Sequence, residues 1–206
     1  MTTYKFTYFD FAGGRAEPIR IALHAAGLSF EDIRWSYAEF SEKRHGARFQ
    51  AVPVLEMDGQ AVTQSNAISR YIGKMSDLYP QDPLQALYCD EVLDALEDLT
   101  HYLVQTFGLE GDALQEAREN LVSGRMTIFI KGLDELLTRG GGEYFAGNRL
   151  SIADLKMSGT TKSLTSGNLE HIPADFLGKL APALMAHQER VDSDPIVTAY
   201  NDSKST

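Results

Sequence analysis

The chain has 206 residues, enough for one large or two small domains, and its 43% of hydrophobic residues is sufficient for a packed core. Its formal net charge of −10 argues against nucleic acid and anionic membranes as partners. The only cysteine, Cys89, excludes an internal disulfide and indicates a reducing, cytoplasmic compartment, and no apolar run approaches the roughly 18 residues of a membrane span.

The first third of the chain has a mixed α/β pattern. Residues 4–9 alternate along the chain, which predicts a strand with Tyr8 near its end. Two glycines interrupt this pattern, and Pro18 then suits the first turn of a helix. Gly27 is expected to follow the end of that helix in the left-handed conformation. Residues 31–35 predict a second strand.

A hairpin and a third helix complete the α/β region. Asp58 and Gly59 separate two apolar runs, which is a strong signal for a two-residue hairpin turn. Ser65 precedes an apolar helical stripe and is expected to be the N-cap of that helix. Residues 76–83 contain two prolines and indicate a linker between domains.

The rest of the chain is predicted to be helical. Apolar residues keep helical spacing from Leu84 onward, and residues 113–138 form a second long amphipathic segment. Ser151 and Asp154 have the spacing of a capping box at a helix start. A last helix is expected at about residues 176–191, with Pro182 in its first turn or at a kink.

The order of these elements and several motifs resemble the cytosolic glutathione S-transferases. YKFTYFDFAGGRAEPIR resembles the first strand and turn of that family, AVPVLEMDG and QSNAISRYI its glutathione-binding core, GNRLSIAD its second-domain capping motif, and DPIVTAY its C-terminal ending. Tyrosine at position 8, followed by F-D and by G-R-A-E, is similar to the sigma-like class.

The resemblance implies two domains. Residues 1–77 would form an α/β thioredoxin-like domain (βαβ-ββα) that binds glutathione, residues 78–83 a linker, and residues 84–206 an all-α helical domain. The helical domain would contribute the electrophile pocket and the contacts of a homodimer. Glutathione would be the co-substrate, with no metal required.

The resemblance assigns the activation of glutathione to Tyr8, whose hydroxyl would donate a hydrogen bond to the thiolate. From its pattern alone, Tyr8 is a half-buried strand aromatic. Arg15 would tune the tyrosine–thiolate pair electrostatically, although the turn carries one residue more before Arg15 than the family pattern does. Tyr8 and Arg15 are therefore the predicted catalytic residues.

Further glutathione contacts follow from the same resemblance. Val52 would offer its backbone groups beside a cis bond to Pro53, and Gln64 and Ser65 would bind the γ-glutamyl carboxylate at a helix start. Asp98 would reach the amino group of the glutathione on the neighbouring subunit. From the sequence pattern alone, Asp98 belongs to a solvated helix face.

The glycyl end of glutathione is where the sequence departs from the class. Arg44 aligns with a basic residue that holds the glycyl carboxylate. Phe40 stands where a tryptophan donor is common, and Ala51 where a lysine is often found. Either Arg44 or Arg48 compensates for these missing donors, or the affinity for glutathione is weaker than usual.

A pocket for a small hydrophobic electrophile is expected beside the thiol. Two of its residues, Lys156 and Thr160, lie in a stretch that is small and polar, where the prostaglandin-isomerising members have bulkier residues. Glu97 and Asp98 form a pair at which some sigma-like members bind a divalent cation, but two carboxylates alone do not predict a metal. The electrophile pocket is predicted to comprise Phe9, Phe11, Ala12, Tyr102, Lys156 and Thr160.

Four functions remain open at this point. The first is a glutathione transferase that conjugates small hydrophobic electrophiles, with reduction of organic hydroperoxides as a further activity. The alternatives are a glutathione-dependent prostaglandin isomerase and a catalytically weak structural relative, similar to lens crystallins. A thiol–disulfide reductase on the same fold would need a cysteine near the first turn, and residues 8–15 contain none.

Overall fold

The computed structural model describes residues 2–204, which divide into two compact units. Within this range, the α/β unit comprises residues 2–79 and 195–204, and the helical unit is Pro80–Asp194. No helix within residues 2–204 combines the length and the apolar content needed to cross a membrane.

A four-stranded mixed sheet forms the centre of the α/β unit. Its strands are β1 (Tyr4–Phe9), β2 (Phe30–Trp35), β3 (Val54–Met57) and β4 (Gln60–Thr63), in the spatial order β2-β1-β3-β4. Strand β1 pairs in parallel with β2 and antiparallel with β3, which in turn pairs antiparallel with β4. The predicted α/β domain followed by a helical domain is thus confirmed.

The helices follow the predicted order, with additions at residues 37–43 and after residue 195. In chain order they are α1 (Glu17–Ala25), α2 (Tyr37–Lys43), α3 (Ser65–Met75), α4 (Pro83–Val104), α5 (Gly111–Leu121), α6 (Thr127–Arg139), α7 (Ile152–Thr165), α8 (Phe176–Leu180), α9 (Pro182–Asp192) and α10 (Pro195–Ser203). Helix α10 belongs to the α/β unit, whereas the sequence placed all residues from 84 onward in the helical domain.

Local signals set the ends of α1 and of the hairpin as predicted. Gly27 follows α1 with φ +64°, and the N–H of Leu28 donates to the carbonyl of Leu23 at 3.1 Å, which completes a Schellman ending. Asp58 and Gly59 connect β3 to β4 with φ values of +49° and +83°, as a type I′ turn requires.

The predicted N-cap of α3 is wrong by one residue. Helix α3 begins at Ser65 itself, and Gln64 occupies the capping position without a capping hydrogen bond from its side chain. The chain turns out of β4 through Gln64, whose φ of +76° and ψ of 108° are not those of a serine-type cap. Ser65 is therefore already in the first helical turn, where it is buried.

The helical unit departs from the predicted long segments at two residues. A π-helical turn at Val122–Met126 separates α5 from α6, and Gly124 within it has φ −107° and ψ −106°, far from helical values. Ala181, with φ −145° and ψ 70°, separates α8 from α9, and Pro182 starts α9. The predicted break at Pro182 is thus confirmed, whereas residues 113–138 are not one continuous helix.

The capping box at the start of α7 is confirmed, and it has further partners. The Asp154 carboxylate, which is fully buried, accepts the N–H of Ser151 at 2.8 Å. It also accepts the N–H of Phe145 at 3.0 Å and a bond from Nε2 of His187 at 2.9 Å. A carboxylate can only accept, so the imidazole proton lies on Nε2. Asp154 therefore ties α7 to α9 and to the loop before α7.

Candidate functional site

The candidate site is centred on the turn between β1 and α1. Tyr8 lies at the end of β1 with a side chain that is 4% exposed, and its hydroxyl oxygen accepts the backbone N–H of Arg15 at 3.2 Å. A phenol oxygen that accepts a hydrogen bond can also donate its own proton. The structure thus brings Tyr8 and Arg15 together through the Arg15 backbone, a contact that the sequence did not predict.

Gly14 allows the turn to pass close to the tyrosine. Its φ is +60°, and a Cβ atom built on it would lie 2.9 Å from the Tyr8 hydroxyl and 3.0 Å from Cε2 of Phe11. A Cβ on Gly13 would meet no atom within 4 Å, although φ is +95° there. The additional glycine therefore lengthens the turn without separating Arg15 from Tyr8.

Phe9 is the centre of an aromatic cluster beside Tyr8. Its ring centroid lies 5.3 Å from that of Tyr8 and 6.0 Å from that of Phe11. Helix α2 adds Tyr37 and Phe40, each with its centroid 4.9 Å from that of Phe9. Phe11 is 38% exposed and Tyr37 is 70% exposed, so the cluster presents an apolar surface next to the tyrosine.

Phe40, which stands where the class commonly has a tryptophan donor, contacts the side chain of Arg44. The guanidinium of Arg44 lies 5.0 Å from the Phe40 ring centroid, within the range of a cation–π contact. The neighbouring Lys43 is already engaged, since its ammonium lies 2.8 Å from a carboxylate oxygen of Glu39. Nε of Arg44 is buried and has no hydrogen-bond partner among the residues described. Arg44 is therefore the cation of this segment that the fold places on the aromatic cluster.

The other predicted glutathione contacts of the α/β unit lie at strand and helix starts. The Val52–Pro53 peptide bond is cis, as the resemblance implies, and Pro53 is buried directly before β3. Because Val54 pairs with Thr7, the start of β3 adjoins the Tyr8 end of β1. Gln64 is exposed, and its positive φ is uncommon for a residue other than glycine, a feature that concentrates at functional sites.

The predicted site residues of the helical unit are described within that unit alone. Asp98 is exposed on α4, and Tyr102 is half-buried with its ring centroid 5.9 Å from that of Phe129. Lys156 is buried, and its ammonium lies 2.8 Å from Glu97. Thr160 donates its hydroxyl to the carbonyl of Lys156 at 2.9 Å. These residues, and Ala12 in the exposed turn, stay predictions for the electrophile pocket and the trans contact.

The carboxylates of α4 do not form a recognisable metal site. Within residues 2–204, no group of three or more His, Cys, Asp or Glu side chains is arranged to hold a metal ion. The Glu97 carboxylate that the sequence raised as a cation ligand is engaged by the ammonium of Lys156.

The thiol of Cys89 lacks the features of a redox nucleophile. It is fully buried in α4, and burial raises its pKa to about 12 despite hydrogen bonds from Ala153 and Ser151. A reactive thiol needs a lowered pKa and access to solvent. This environment disfavours the thiol–disulfide reductase alternative.

The sequence analysis did not predict a partly buried ion pair in the α/β unit. Arg20 of α1 is 1% exposed, and its Nε and Nη2 donate to Oδ1 of Asp32 at 3.1 and 3.0 Å. Its guanidinium also lies 5.7 Å from the centroid of Phe6. The only available signal was an arginine beside the apolar stripe of α1, and its partner on β2 could not be inferred from helical spacing.

Comparisons with known proteins match both units of the chain to the same protein family. The sequence-family model for the glutathione S-transferase N-terminal domain matches residues 4–74. The family model for the glutathione S-transferase C-terminal domain matches residues 97–204. The hematopoietic prostaglandin D synthase of Gallus gallus is 30% identical over 200 residues, covering 97% of this chain and 96% of that protein. Glutathione S-transferase 1 of Ascaris suum is 33% identical, covering 86% and 85%. The solved structure of prostaglandin synthase D of Nilaparvata lugens has a TM-score of 0.84 and 28% identity, covering 97% of both chains.

Proposed function

Because this chain belongs to the glutathione S-transferase family, we propose that it is a sigma-like enzyme that activates glutathione through Tyr8 and conjugates it to small hydrophobic electrophiles. The observation that carries the proposal is the hydrogen bond from the Arg15 N–H to the Tyr8 hydroxyl. This bond orients the phenol and polarises its O–H as a donor, because hydrogen bonds in a chain strengthen one another.

One hydroxyl can supply most of the free energy needed to keep the glutathione thiol ionised at neutral pH. A free thiol has a pKa of about 8.5, and keeping it mostly ionised at neutral pH needs a shift of about 2 units, or roughly 2.7 kcal/mol. A hydrogen bond to a charged acceptor contributes about 1.5–3 kcal/mol. Tyr8 would supply such a bond from a buried position, where competition from water is small.

The α/β unit offers groups that suit the remaining parts of glutathione. The backbone of Val52 beside Pro53 would pair with the cysteinyl part like an added strand. The start of α3 at Gln64 and Ser65 would bind the γ-glutamyl carboxylate. Arg44, held on Phe40, would bind the glycyl carboxylate, and this compensates for the missing donors at positions 40 and 51.

The reaction then needs only a nucleophile and a leaving group. The thiol loses its proton to solvent, and the thiolate sulfur forms a bond to the electrophilic carbon. The leaving group, such as the halide of an aryl halide, departs with its electron pair. With an organic hydroperoxide, the same sulfur would attack the terminal oxygen and break the O–O bond, which forms the sulfenic acid of glutathione and releases an alkoxide that takes a proton from solvent. A second glutathione would then reduce the sulfenic acid, giving glutathione disulfide and water. The aromatic surface of Phe9 and Phe11 would bind the apolar substrate.

A glutathione-dependent prostaglandin isomerase is the second candidate, favoured by the relatives named prostaglandin D synthase. It would use the same thiolate on an endoperoxide. Lys156 and Thr160 stand where bulkier residues would be expected for that activity. An assay of the purified protein with glutathione and an aryl halide, an organic hydroperoxide or a prostaglandin endoperoxide separates these reactions.

The proposal includes the assembly and location of the protein. We infer a cytoplasmic location, since a chain with a single cysteine is typical of a reducing compartment. We also infer a homodimer in which Asp98, exposed on α4, reaches the glutathione amino group of the other subunit.

Replacing Tyr8 tests the proposal directly. Tyr8→Phe should remove most of the ultraviolet thiolate absorbance of bound glutathione at neutral pH and lower kcat/KM about 10- to 100-fold, because one charged hydrogen bond is lost. Tyr4→Phe is the matched control, since Tyr4 is another buried tyrosine of β1. Wild-type protein without thiolate absorbance would indicate the crystallin-like alternative, and an unchanged signal in Tyr8→Phe would remove Tyr8 from its role.

A further inference from the structure

The helical unit contains a cavity that none of the predicted site residues lines. Its volume is about 420 Å³, within the range of roughly 300–1,000 Å³ that is typical of small-molecule sites. One wall is the end of α5 with the π-helical turn after it, and the other is the loop before α8. We call it the α5 cavity, and its lining residues are Glu119, Val122, Ser123, His171, Ile172 and Pro173.

A buried arginine joins the two walls of the α5 cavity. Arg118 of α5 is 7% exposed, and its Nη1 donates to the carbonyl of Glu170 at 2.7 Å. Its Nε donates to the hydroxyl oxygen of Thr106 at 3.1 Å. Ile172 is buried as well, so an apolar side chain also anchors the loop. These contacts fix the shape of the cavity, and most small-molecule sites are largely pre-formed in this way.

Both walls of the cavity have an unusual backbone. The π-helical turn Val122–Met126 contributes two of the lining residues, and π turns are frequent at functional sites. On the opposite wall, His171 has φ +60°, which is uncommon for a residue other than glycine and concentrates where side chains bind ligands. Two such features on one cavity favour a binding role over a gap in the packing.

The polar groups of the lining are hydrogen-bond acceptors. The Glu119 carboxylate accepts Nε2 of Gln115 at 2.8 Å, and no residue between positions 2 and 204 forms an ion pair with it. The Ser123 hydroxyl donates to the carbonyl of Glu119 at 2.8 Å, which leaves its oxygen to accept. A second carboxylate, that of Glu170, adjoins the lining 3.3 Å from Nε2 of His171. A ligand for these groups needs hydrogen-bond donors and a positive charge.

The rest of the lining is apolar. Val122, Ile172 and Pro173 offer a surface that a bare metal ion would leave unused, whereas an ammonium group on an apolar body uses both parts of the cavity. The charge of the unit acts in the same direction, because its nineteen Asp and Glu residues against nine Lys and Arg residues attract cations.

We propose that the α5 cavity binds a small organic ammonium ion. Its charged group pairs with the Glu119 carboxylate and donates to the Ser123 oxygen, and its apolar part packs against Val122, Ile172 and Pro173. This site does not depend on the role proposed for Tyr8, so either proposal can fail without the other.

Calorimetric titration with three probes that share a phenyl ring tests the charge preference. The probes are 2-phenylethylammonium, the neutral 2-phenylethanol and the anionic 3-phenylpropanoate. Only the ammonium should bind, with a Kd on the order of 1 mM, as expected for so small a ligand. Equal binding of the three probes, or no binding of the ammonium, would overturn the proposal. Tighter binding of the propanoate would overturn it too, since the charge of Arg118 rather than that of Glu119 would then set the preference.

Two isosteric substitutions on α5 separate a local contact from the general charge of the unit. Glu119 is exposed, so Glu119→Gln should fold normally, and it should weaken binding of 2-phenylethylammonium at least about tenfold because a charged hydrogen bond is lost. Glu116→Gln is the matched control, since Glu116 is exposed on the same helix and does not line the cavity. It should change the Kd less than about twofold, as salt screens exposed charges. Equal effects of the two substitutions would contradict a specific contact with Glu119.

Nuclear magnetic resonance of the backbone amides locates the probe directly. Addition of 2-phenylethylammonium should shift the signals of Val122, Ser123, His171 and Ile172 more than those of any other segment. Ser123→Trp places an indole at the mouth of the cavity and should abolish these shifts, with circular dichroism as the check that the variant is folded. Shifts confined to other segments, or unchanged affinity in folded Ser123→Trp, would show that the probe binds elsewhere and would overturn the proposal.

Discussion

Gly14 and Gly13 are adjacent, but only Gly14 faces the Tyr8 hydroxyl. Both have positive φ, which an alanine adopts only at a cost of about 1–2 kcal/mol. We therefore expect Gly14→Ala and Gly13→Ala both to lower the free energy of unfolding, and Gly14→Ala to lower it further because its methyl group clashes with Tyr8 and Phe11. Only Gly14→Ala places a methyl group 2.9 Å from the phenol oxygen, so it alone should displace Tyr8.

The expected result is a loss of thiolate absorbance of bound glutathione in Gly14→Ala and its retention in Gly13→Ala. Urea unfolding of both variants checks that each is folded under the conditions of the absorbance measurement. Equal thiolate signals in the two variants would mean that the close approach at Gly14 has no part in orienting the tyrosine.

For single residues, the sequence predicted which side chains belong to the candidate site better than it predicted which atoms they contact. Tyr8 and Arg15 could be singled out because they flank a glycine turn, and their proximity is observed. The contact itself uses the Arg15 backbone, which no side-chain pattern encodes. Arg20 and Asp32 were missed because their pairing joins a helix to a strand 12 positions later and depends on the packed fold.

Among the helices, α7 is joined to α9 and to the loop before it by one buried carboxylate, that of Asp154. Asp154 accepts bonds from the loop before α7, from the start of α7 and from α9, all in a fully buried position. Asp154→Asn replaces an acceptor oxygen with a donor nitrogen that faces other donors. We expect it to lower the free energy of unfolding by about 3 kcal/mol, measured by urea denaturation.

Asp175→Asn is the control for this prediction. Asp175 forms an exposed pair with Lys179 at 2.6 Å, four residues further along α8. Exposed pairs of this kind contribute little, so its loss should cost less than about 0.5 kcal/mol. If the two substitutions lower the free energy of unfolding by similar amounts, the contacts of Asp154 contribute less to stability than we infer.

Helices, strands and turns could be predicted where the residues that determine them are close together in the sequence. The hairpin and the end of α1 follow from Asp58-Gly59 and Gly27, which set the backbone directly. Helix α2 was missed because it buries no residue and so has no apolar stripe, although Ser36 and Glu39 form a capping box that could have been found. The π turn at Gly124 lies inside a continuous amphipathic pattern, so the spacing of apolar residues does not reveal it.

The charge of the whole molecule is divided unevenly between its units. The helical unit has nine Lys and Arg residues against nineteen Asp and Glu residues, whereas the α/β unit has ten of each. The entire net charge of −10 therefore belongs to the helical unit. An anionic tripeptide is repelled least by the α/β unit, which is where the proposed glutathione contacts other than that of Asp98 lie.

An acidic helical unit is nevertheless suited to bind the one positive group of glutathione, its amino group. If Asp98 acts across a dimer, each active site combines Tyr8 of one subunit with Asp98 of the other. Asp98→Asn should then raise the KM for glutathione about tenfold, because a charged hydrogen bond is lost, and leave the thiol pKa nearly unchanged. Sedimentation should show a dimer for the wild-type protein and for this variant.

Mixing two impaired variants distinguishes a contact between subunits from one within a subunit. Tyr8→Phe subunits carry an intact Asp98, and Asp98→Asn subunits carry an intact Tyr8. When the two are unfolded together and refolded, each heterodimer should contain one site with both native groups and one site with neither. Activity at low glutathione should therefore exceed the sum of the separately refolded parents. A contact within one subunit, or a monomeric protein, would give only that sum, because no chain in the mixture carries both residues.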